Sequence, residues 1–488
     1  MRVPVFSTPA DDEALRTLFD AAGYHDRRLR DLLGQDGTAA CPPDAAVWRR
    51  RVATEQAAGT LFTLLAAGAD VTRAELFAAL GDGGIAVLER TGLVQRAAGA
   101  LRATVRLVPT DVGWLASDRR DSHHADAPDF VVGVSPVSRR LMGLTVPRPV
   151  ESALDLGCGC GVLALGLARH AARVVATDVN PRAVAMTRFN AALNGVSRVQ
   201  PVEGDLFSDA AGGSFDLIVS NPPFVLSPEA TFLYRDGGVN VSRRILREAP
   251  DHLTENGWFQ MLCNWPQRSG QEWWADVQSW IAGDGYDVWV LRERTLDPLS
   301  YAGVWLAQQY PDGIPEAALA GWLEYLAREE IESVGSGLIV IRKTSGRPWQ
   351  EFRDMPGFTS PAGDSIARTI DARDWVSQRA DDELLEARLS PSPDLEYREV
   401  RRPTAHGWNV TGPRLTSAAG LHFSVHGDPV ATAIIGLLDG HRSLRGAAAD
   451  LAAAHSISLD SLLPQLPGTF RQLLWLGLVL PASSVTRQ

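Results

Sequence analysis

Lysine is almost absent from this sequence. Lys343 is the only one among 47 basic residues in a chain of 488. Arginine takes its place, and together with the abundant alanine and glycine this marks the coding bias of a GC-rich bacterial genome. Basic charge is short as well: 58 acidic residues outnumber the basic ones, the net charge is −11 and the pI is near 5.5. That balance weighs against a protein that coats nucleic acid without sequence preference, although it leaves room for one basic groove. Cysteine is scarce, and Cys41, Cys158, Cys160 and Cys263 are too few for a disulfide framework in a chain this long. No apolar run approaches the ~20 residues needed to cross a bilayer, and the N-terminus has no basic-then-apolar signal pattern. A cytoplasmic protein without membrane contact is expected. What remains is ordinary soluble composition, 45% hydrophobic and 22% charged, with length for about three domains.

The informative stretch runs from Ser152 to Phe224. The apolar run Ala153-Leu154-Asp155-Leu156 breaks into Gly157-Cys158-Gly159-Cys160-Gly161, and a helical pattern follows through Val162, Leu163, Leu165 and Leu167. Glycines between a buried strand and a helix start permit a sharp turn and a close approach of backbone to ligand. A second strand, Arg173 to Thr177, ends on Asp178, about twenty residues on, where a carboxylate can take both hydroxyls of a ribose. A dinucleotide fingerprint would need glycine at position 162 or 164, which hold Val162 and Ala164. A third strand (Val199 to Val202) leads to Asp205-Leu206, and a fourth (Phe215 to Ser220) ends in Asn221-Pro222-Pro223-Phe224. Cys158 and Cys160 read as small packing residues in the loop, because a metal there would collide with a bound nucleoside; no metal site is expected.

With these motifs in order and spacing, the sequence resembles the class I S-adenosylmethionine (SAM)-dependent methyltransferases, in the branch that carries Asn-Pro-Pro-Tyr/Phe and modifies planar nitrogens. The resemblance implies SAM as cofactor, contacted by Asp155, Gly157, Cys158, Gly159, Asp178, Val179, Asn180, Asp205, Leu206 and Asn221. It implies that Asn221, Pro222, Pro223 and Phe224 hold the acceptor: the Asn221 amide oxygen and the Pro222 carbonyl accept from the NH2, and Phe224 offers a flat face for stacking. Tyr234, Arg235 and Asp236 fall where this branch covers its substrate. The acceptor itself stays open among a small molecule, a peptide or protein, and RNA. A methyltransferase fold of secondary metabolism turned to cyclisation or elimination, with SAM as a spectator, is the alternative; a nucleic-acid-binding regulator is a further one.

The resemblance further implies an α/β fold with a Rossmann-like seven-stranded sheet over residues 118–345, carrying a helical insertion at about 297–333. Residues 1–117 read as a helical, winged-helix-like domain: a helix through Leu61, Leu64 and Leu65, a capping box at Thr72 to Glu75, a helix ending at Gly92, and two strands (Leu93 to Arg96, Leu101 to Val108) about a turn at Gly99. The helix in the reading position offers only Glu89 and Arg90 as charges, so duplex DNA is not the expected partner. Between the two domains, His123-His124 sits on a polar link and reads as solvent-exposed. Eight of 14 tryptophans lie between Trp258 and Trp322 and are expected mostly in the core. Residues 346–488 open on a Pro-, Arg- and Asp-rich run through Pro403 and close on a mainly helical module that resembles small peptide-carrier or leader-binding modules and equally a second winged helix used for packing, with a protein partner left open at either extension.

Overall fold

A computed structural model of the chain describes residues 3–6, 8, 10–34, 45–119, 127, 129–207, 213–228, 235–236, 240–281, 283–355 and 357–482. Pro42, Pro43, His123, His124 and Tyr234 lie outside them. Two compact units emerge: residues 1–142 with 148–354, and residues 143–147 with 355–488.

The first unit is built on one mixed sheet. Its strands are β1 (Val150–Leu156), β2 (Ala171–Asp178), β3 (Val199–Glu203), β4 (Phe215–Ser220), β5 (Leu253–Arg268), β6 (Tyr286–Leu296), β7 (Ile331–Lys343) and β8 (Gln350–Asp354). They lie in the order β8-β6-β7-β5-β4-β1-β2-β3. β5, β4, β1, β2 and β3 run parallel, and β7 lies antiparallel between β5 and β6. Such parallel strands are buried on both faces and read as continuous apolar runs; Leu154, Val175, Ile218, Phe259 and Ile339 fill one core cluster. The sheet has one strand more than the seven expected. β8, polar Gln350 to Asp354, extends the edge parallel to β6 from Val288 to Arg292, and its composition conceals it among linker-like sequence. β5 begins at Leu253, ahead of a sequence turn signal. Asn256-Gly257, a turn signal, sits inside the strand at a register shift, with Asn256 at φ 64°.

The chain leaves β1 towards β2 on one side and leaves β4 towards β5 on the other. β1 and β4 are neighbours, so a crevice opens at their C-terminal ends, the switch point where open α/β sheets bind ligands.

The N-terminal residues pack into this same unit. The capping box forms: the Glu75 N–H donates to the Thr72 hydroxyl at 3.2 Å and the Thr72 N–H donates to the Glu75 carboxylate at 2.7 Å. The helix Arg73–Arg90 kinks at Gly81. Val71–Thr72, Ala100–Ala103 and Val94–Ala97 make a three-stranded wing. The expected strand from Leu101 to Val108 is instead two: Arg106–Thr110 leaves the wing and pairs with Gly113–Ser117. That second hairpin is held by side chains of the helix Pro181–Leu193 and its cap. Asn190 and Asn194 accept from and donate to the backbones of Ala116 and Trp114 at 2.8–2.9 Å, as a neighbouring strand would. Arg49 and Arg51 donate to the backbone oxygens of Asp70 and Leu33.

The second unit packs the helices Gly363–Ser377, Pro429–Leu437, Leu444–His455 and Leu466–Trp475, with Ile366, Ile434, Leu444, Phe470 and Leu474 fully buried. It is less purely helical than expected. Strands β9 (Leu395–Thr404) and β10 (Gly407–Ser417) form a long hairpin. Among the described residues no helix is long and apolar enough to cross a membrane.

Candidate active site

The crevice at the ends of β1, β2 and β4 holds a cavity of about 610 Å³, within the range of small-molecule and cofactor sites. Gly157, Cys158 and Gly159 line one side, Asp178, Val179 and Asn180 a second, Asp205 and Leu206 a third, and Asn221, Pro222 and Pro223 the end of β4. Motifs up to 66 residues apart in sequence thus converge on one space.

The glycine loop has the geometry of a cradle. Gly157 and Gly159 stand at φ 83° and 53°, and a Cβ on either would project into open space. Gly161, at φ 80°, is required for a different reason, since its Cβ would fall 2.8 Å from the Thr187 side chain. Asp178 organises the loop from below. One carboxylate oxygen accepts the Gly159 N–H and the other the Asn180 N–H, both at 2.9 Å. Burial raises its pKa, against the two N–H donors that lower it. Each oxygen keeps a further lone pair, so the carboxylate can still accept from hydroxyl donors while it holds the loop. Asn180 caps the helix Pro181–Leu193, accepting from the Arg182 N–H at 2.9 Å.

Asp155 is placed differently from expectation. It is fully buried and is not among the residues lining the cavity. Its Oδ2 accepts the Ala164 N–H at 2.8 Å and ties β1 to the helix after the glycine loop, while Oδ1 has no hydrogen-bond partner. Burial raises its pKa to about 7, helped by the nearby charge of Asp178 and opposed by the Ala164 N–H. It supports the loop and does not face the cavity.

Asn221 faces the cavity from the end of β4. The preceding Ser220 hydroxyl donates to the Leu156 carbonyl at 2.8 Å, locking the two strand ends together. The Asn221 Nδ2 donates to the Ser138 hydroxyl at 3.4 Å, and its Oδ1 is buried without a partner. Phe224 turns away. Its ring is 8% exposed and packs with Tyr301, Trp322 and Leu326, edge-on to Trp305 at 6.2 Å. The helical insertion, Pro298–Gln309 and Glu316–Arg328, covers it, so the expected stacking face is a core side chain. Of Arg235 and Asp236 only the backbone is described, paired parallel with Val225 and Leu226.

Two segments outside the motifs also contribute. Phe130, Val132 and Gly133 line the cavity, on a segment secured where Asp118 accepts the Val131 N–H at 2.8 Å and the Arg182 guanidinium at 2.9 Å. Val241, Arg244 and Ile245 come from the helix Asn240–Glu248. Arg244 reaches Asp205 at 3.1 Å, and that carboxylate raises its pKa. Their spacing is that of any amphipathic segment, which gives no signal of a site. None of the eight tryptophans between Trp258 and Trp322 is among the residues lining the cavity; Trp265 and Trp289 are wholly buried. Cys158 and Cys160 are buried free thiols, with pKa values pushed up by burial, for Cys160 to about 11.

Comparison with known proteins agrees with this geometry. Residues 137–274 match the family model described as methyltransferase small domain, and residues 367–481 match a domain of unknown function, DUF7782. The ribosomal protein uL3 glutamine methyltransferase of Bradyrhizobium diazoefficiens is 41% identical over 127 residues, 23% of this chain and 40% of that protein. The release factor glutamine methyltransferase of Xylella fastidiosa is 34% identical over 128 residues, 23% and 46% of the two chains. Ribosomal RNA small subunit methyltransferase C of Escherichia coli is 32% identical over 141 residues, 27% and 36%. The chain spans less than half the length of these relatives. The open cradle at Gly157 and Gly159 and the paired acceptors of Asp178 fit a nucleoside, and residues 137–274 are a class I SAM-dependent methyltransferase domain of the methyltransferase small-domain type.

Proposed function

We propose that this chain transfers the methyl group of SAM to the planar NH2 nitrogen of a protein side-chain amide or an RNA base. The observation that carries the reading is the Asn221 Oδ1, a buried carbonyl oxygen without a hydrogen-bond partner in a residue that lines the cavity. An unsatisfied buried acceptor costs on the order of 1–3 kcal/mol, and a donor on the acceptor substrate would relieve it. Bound SAM supplies an already activated methyl group, so the chain's own task is to orient the nitrogen. A planar NH2 is a poor nucleophile because its lone pair is delocalised. With Asn221 Oδ1 accepting one N–H and the Pro222 carbonyl the other, the lone pair is left facing the methyl carbon. Pro222 and Pro223 have fixed φ, so the carbonyl needs no ordering at the moment of reaction. The proton leaves to solvent after transfer and no dedicated base is required. The names of the relatives, glutamine and ribosomal RNA methyltransferases, support acceptors of this kind.

Incubating the chain with methyl-labelled SAM and separate protein and RNA pools tests the reading, with label expected in one pool. Asn221→Ala should lower turnover about a hundredfold or more while SAM affinity changes by less than about threefold, because orientation is what the residue supplies. Product formed without label, at an undiminished rate when a non-transferable SAM analogue replaces SAM, would point to repurposed chemistry.

A further inference from the structure

The hairpin β9–β10 has no core of its own. The residues described from Glu396 to Gly412 are all exposed, and the third strand, Ser424–His426, pairs only with its base at Arg414 to Thr416. Isolated two-stranded ribbons are marginal in water, and chains ordinarily cover or shorten such edges. This one carries Tyr397, Trp408 and Val410, all large and exposed, with Trp408 at 71% the most exposed large hydrophobic side chain among the described residues.

The charge of the ribbon runs against that of the chain. From position 400 to 413 there is no carboxylate, while Arg401 and Arg402 are present, in a protein of net charge −11. Arg401 pairs with the exposed Glu399 at 2.9 Å, a surface contact that a phosphate can displace. The register sets out the face: Pro403 lies opposite Trp408 and Arg401 opposite Val410. Since alternate residues share a face and diagonal neighbours are within reach of long side chains, the register puts Pro403 directly across from Trp408 and Arg401 diagonally across from it on the same face. Arg402, opposite Asn409, serves the other face.

A flat ring beside two arginines, one of them held only by an exposed carboxylate, recognises a chain of anions that also carries flat rings. We propose that the distal half of this hairpin binds single-stranded RNA, with Trp408 stacking on an unpaired base and Arg401 and Arg402 contacting phosphates. Bases in a duplex are already stacked on one another, whereas unpaired bases are free to stack on an aromatic platform, and RNA presents unpaired bases in its ordinary state. The inference does not depend on which nitrogen the active site methylates.

Fluorescence anisotropy of the full chain with a labelled 12-nucleotide single-stranded RNA of mixed sequence tests it, with the same sequence as single-stranded DNA and as duplex RNA in parallel. The single-stranded RNA should bind most tightly. Trp408→Ala should weaken binding about tenfold or more without changing the salt dependence, and Trp408→Phe should recover part of the loss. The double change Arg401→Ala, Arg402→Ala should lessen the slope of log affinity against log salt by about 1.4, the value for two phosphate contacts on a single strand. All these side chains are exposed, so binding of S-adenosylhomocysteine, titrated by calorimetry, should match the unchanged chain and certify the fold. Equal affinity of the Trp408→Ala variant, tighter binding of the DNA or the duplex, or no RNA binding at all would overturn the proposal.

Discussion

Two carboxylates in neighbouring strands show how position decides a residue's task. Asp155 and Asp178 both belong to the nucleoside cassette by sequence, yet only Asp178 lines the cavity. Asp155 is sealed beneath the loop and titrates near 7. Because its folded pKa lies above the ordinary value of 3.8, the native state holds a proton that the unfolded chain releases first. Its contribution is therefore full at low pH and is lost as pH rises from about 4 to about 7, by at most about 1.4 kcal/mol per pH unit. Asp155→Asn keeps an acceptor for the Ala164 N–H and cannot ionise. Relative to the unchanged protein, the variant should gain stability steadily between pH 4.5 and 7 in urea unfolding and then level off; a difference that is flat across that range would refute the assignment. That Gly157, Gly159, Asp178 and Asn221 line one cavity was legible in sequence because each stands at a strand end where backbone turns are marked by local residue choice. The side-chain direction of Phe224 is a tertiary fact, fixed by a helical insertion that begins more than 70 residues later.

Among elements, that insertion does more than cover a ring. Tyr301, in the helix Pro298–Gln309, is wholly buried, and its hydroxyl oxygen accepts from the Leu226 N–H at 2.9 Å and from Asn264 Nδ2 at 3.0 Å. Leu226 lies five residues past Asn221 on the segment leaving β4, and Asn264 lies on β5, so one phenol joins the insertion, that segment and the sheet. Burial raises the phenol's pKa, and it stays protonated at any ordinary pH. Tyr301→Phe keeps the ring and strips both donors of their partner, each loss being on the order of 1–3 kcal/mol. A lower melting temperature and a lower kcat, with SAM affinity nearly unchanged, are expected. A melting point equal to that of the unchanged protein would show the two donors re-satisfied elsewhere. The insertion was visible in sequence as helical periodicity, whereas its hydrogen bonds were not. The ribbon β9–β10 was missed for a related reason: with both faces exposed it has no apolar alternation, and Pro403 and Pro413 read as linker.

For the molecule as a whole, the expected three-part division meets a chain that packs as two compact units. The second hairpin belongs with the sheet because Asn190 and Asn194 complete its backbone hydrogen bonds, and Asn190 Nδ2 also donates to the Cys160 carbonyl in the glycine loop at 2.8 Å. Nothing in the sequence announces two asparagines on a helix as substitutes for a strand. The consequence is thermodynamic. If residues 1–142 and 148–354 unfold cooperatively, occupancy of the cavity must stabilise the N-terminal helices and the sheet together, while residues 355–488, with their own buried core, take no part. Differential scanning calorimetry should then resolve two transitions. S-adenosylhomocysteine at about a hundred times its Kd adds about 2.7 kcal/mol to the state that binds it, a shift of a few degrees for a unit of this size. One transition should move by that amount and the other should stay. Hydrogen exchange at the same ligand concentration should protect Ala116 and Trp114 along with the glycine loop. Two transitions shifting equally would show the units to be one cooperative body. Protection confined to the loop would separate the N-terminal residues from the domain they pack against.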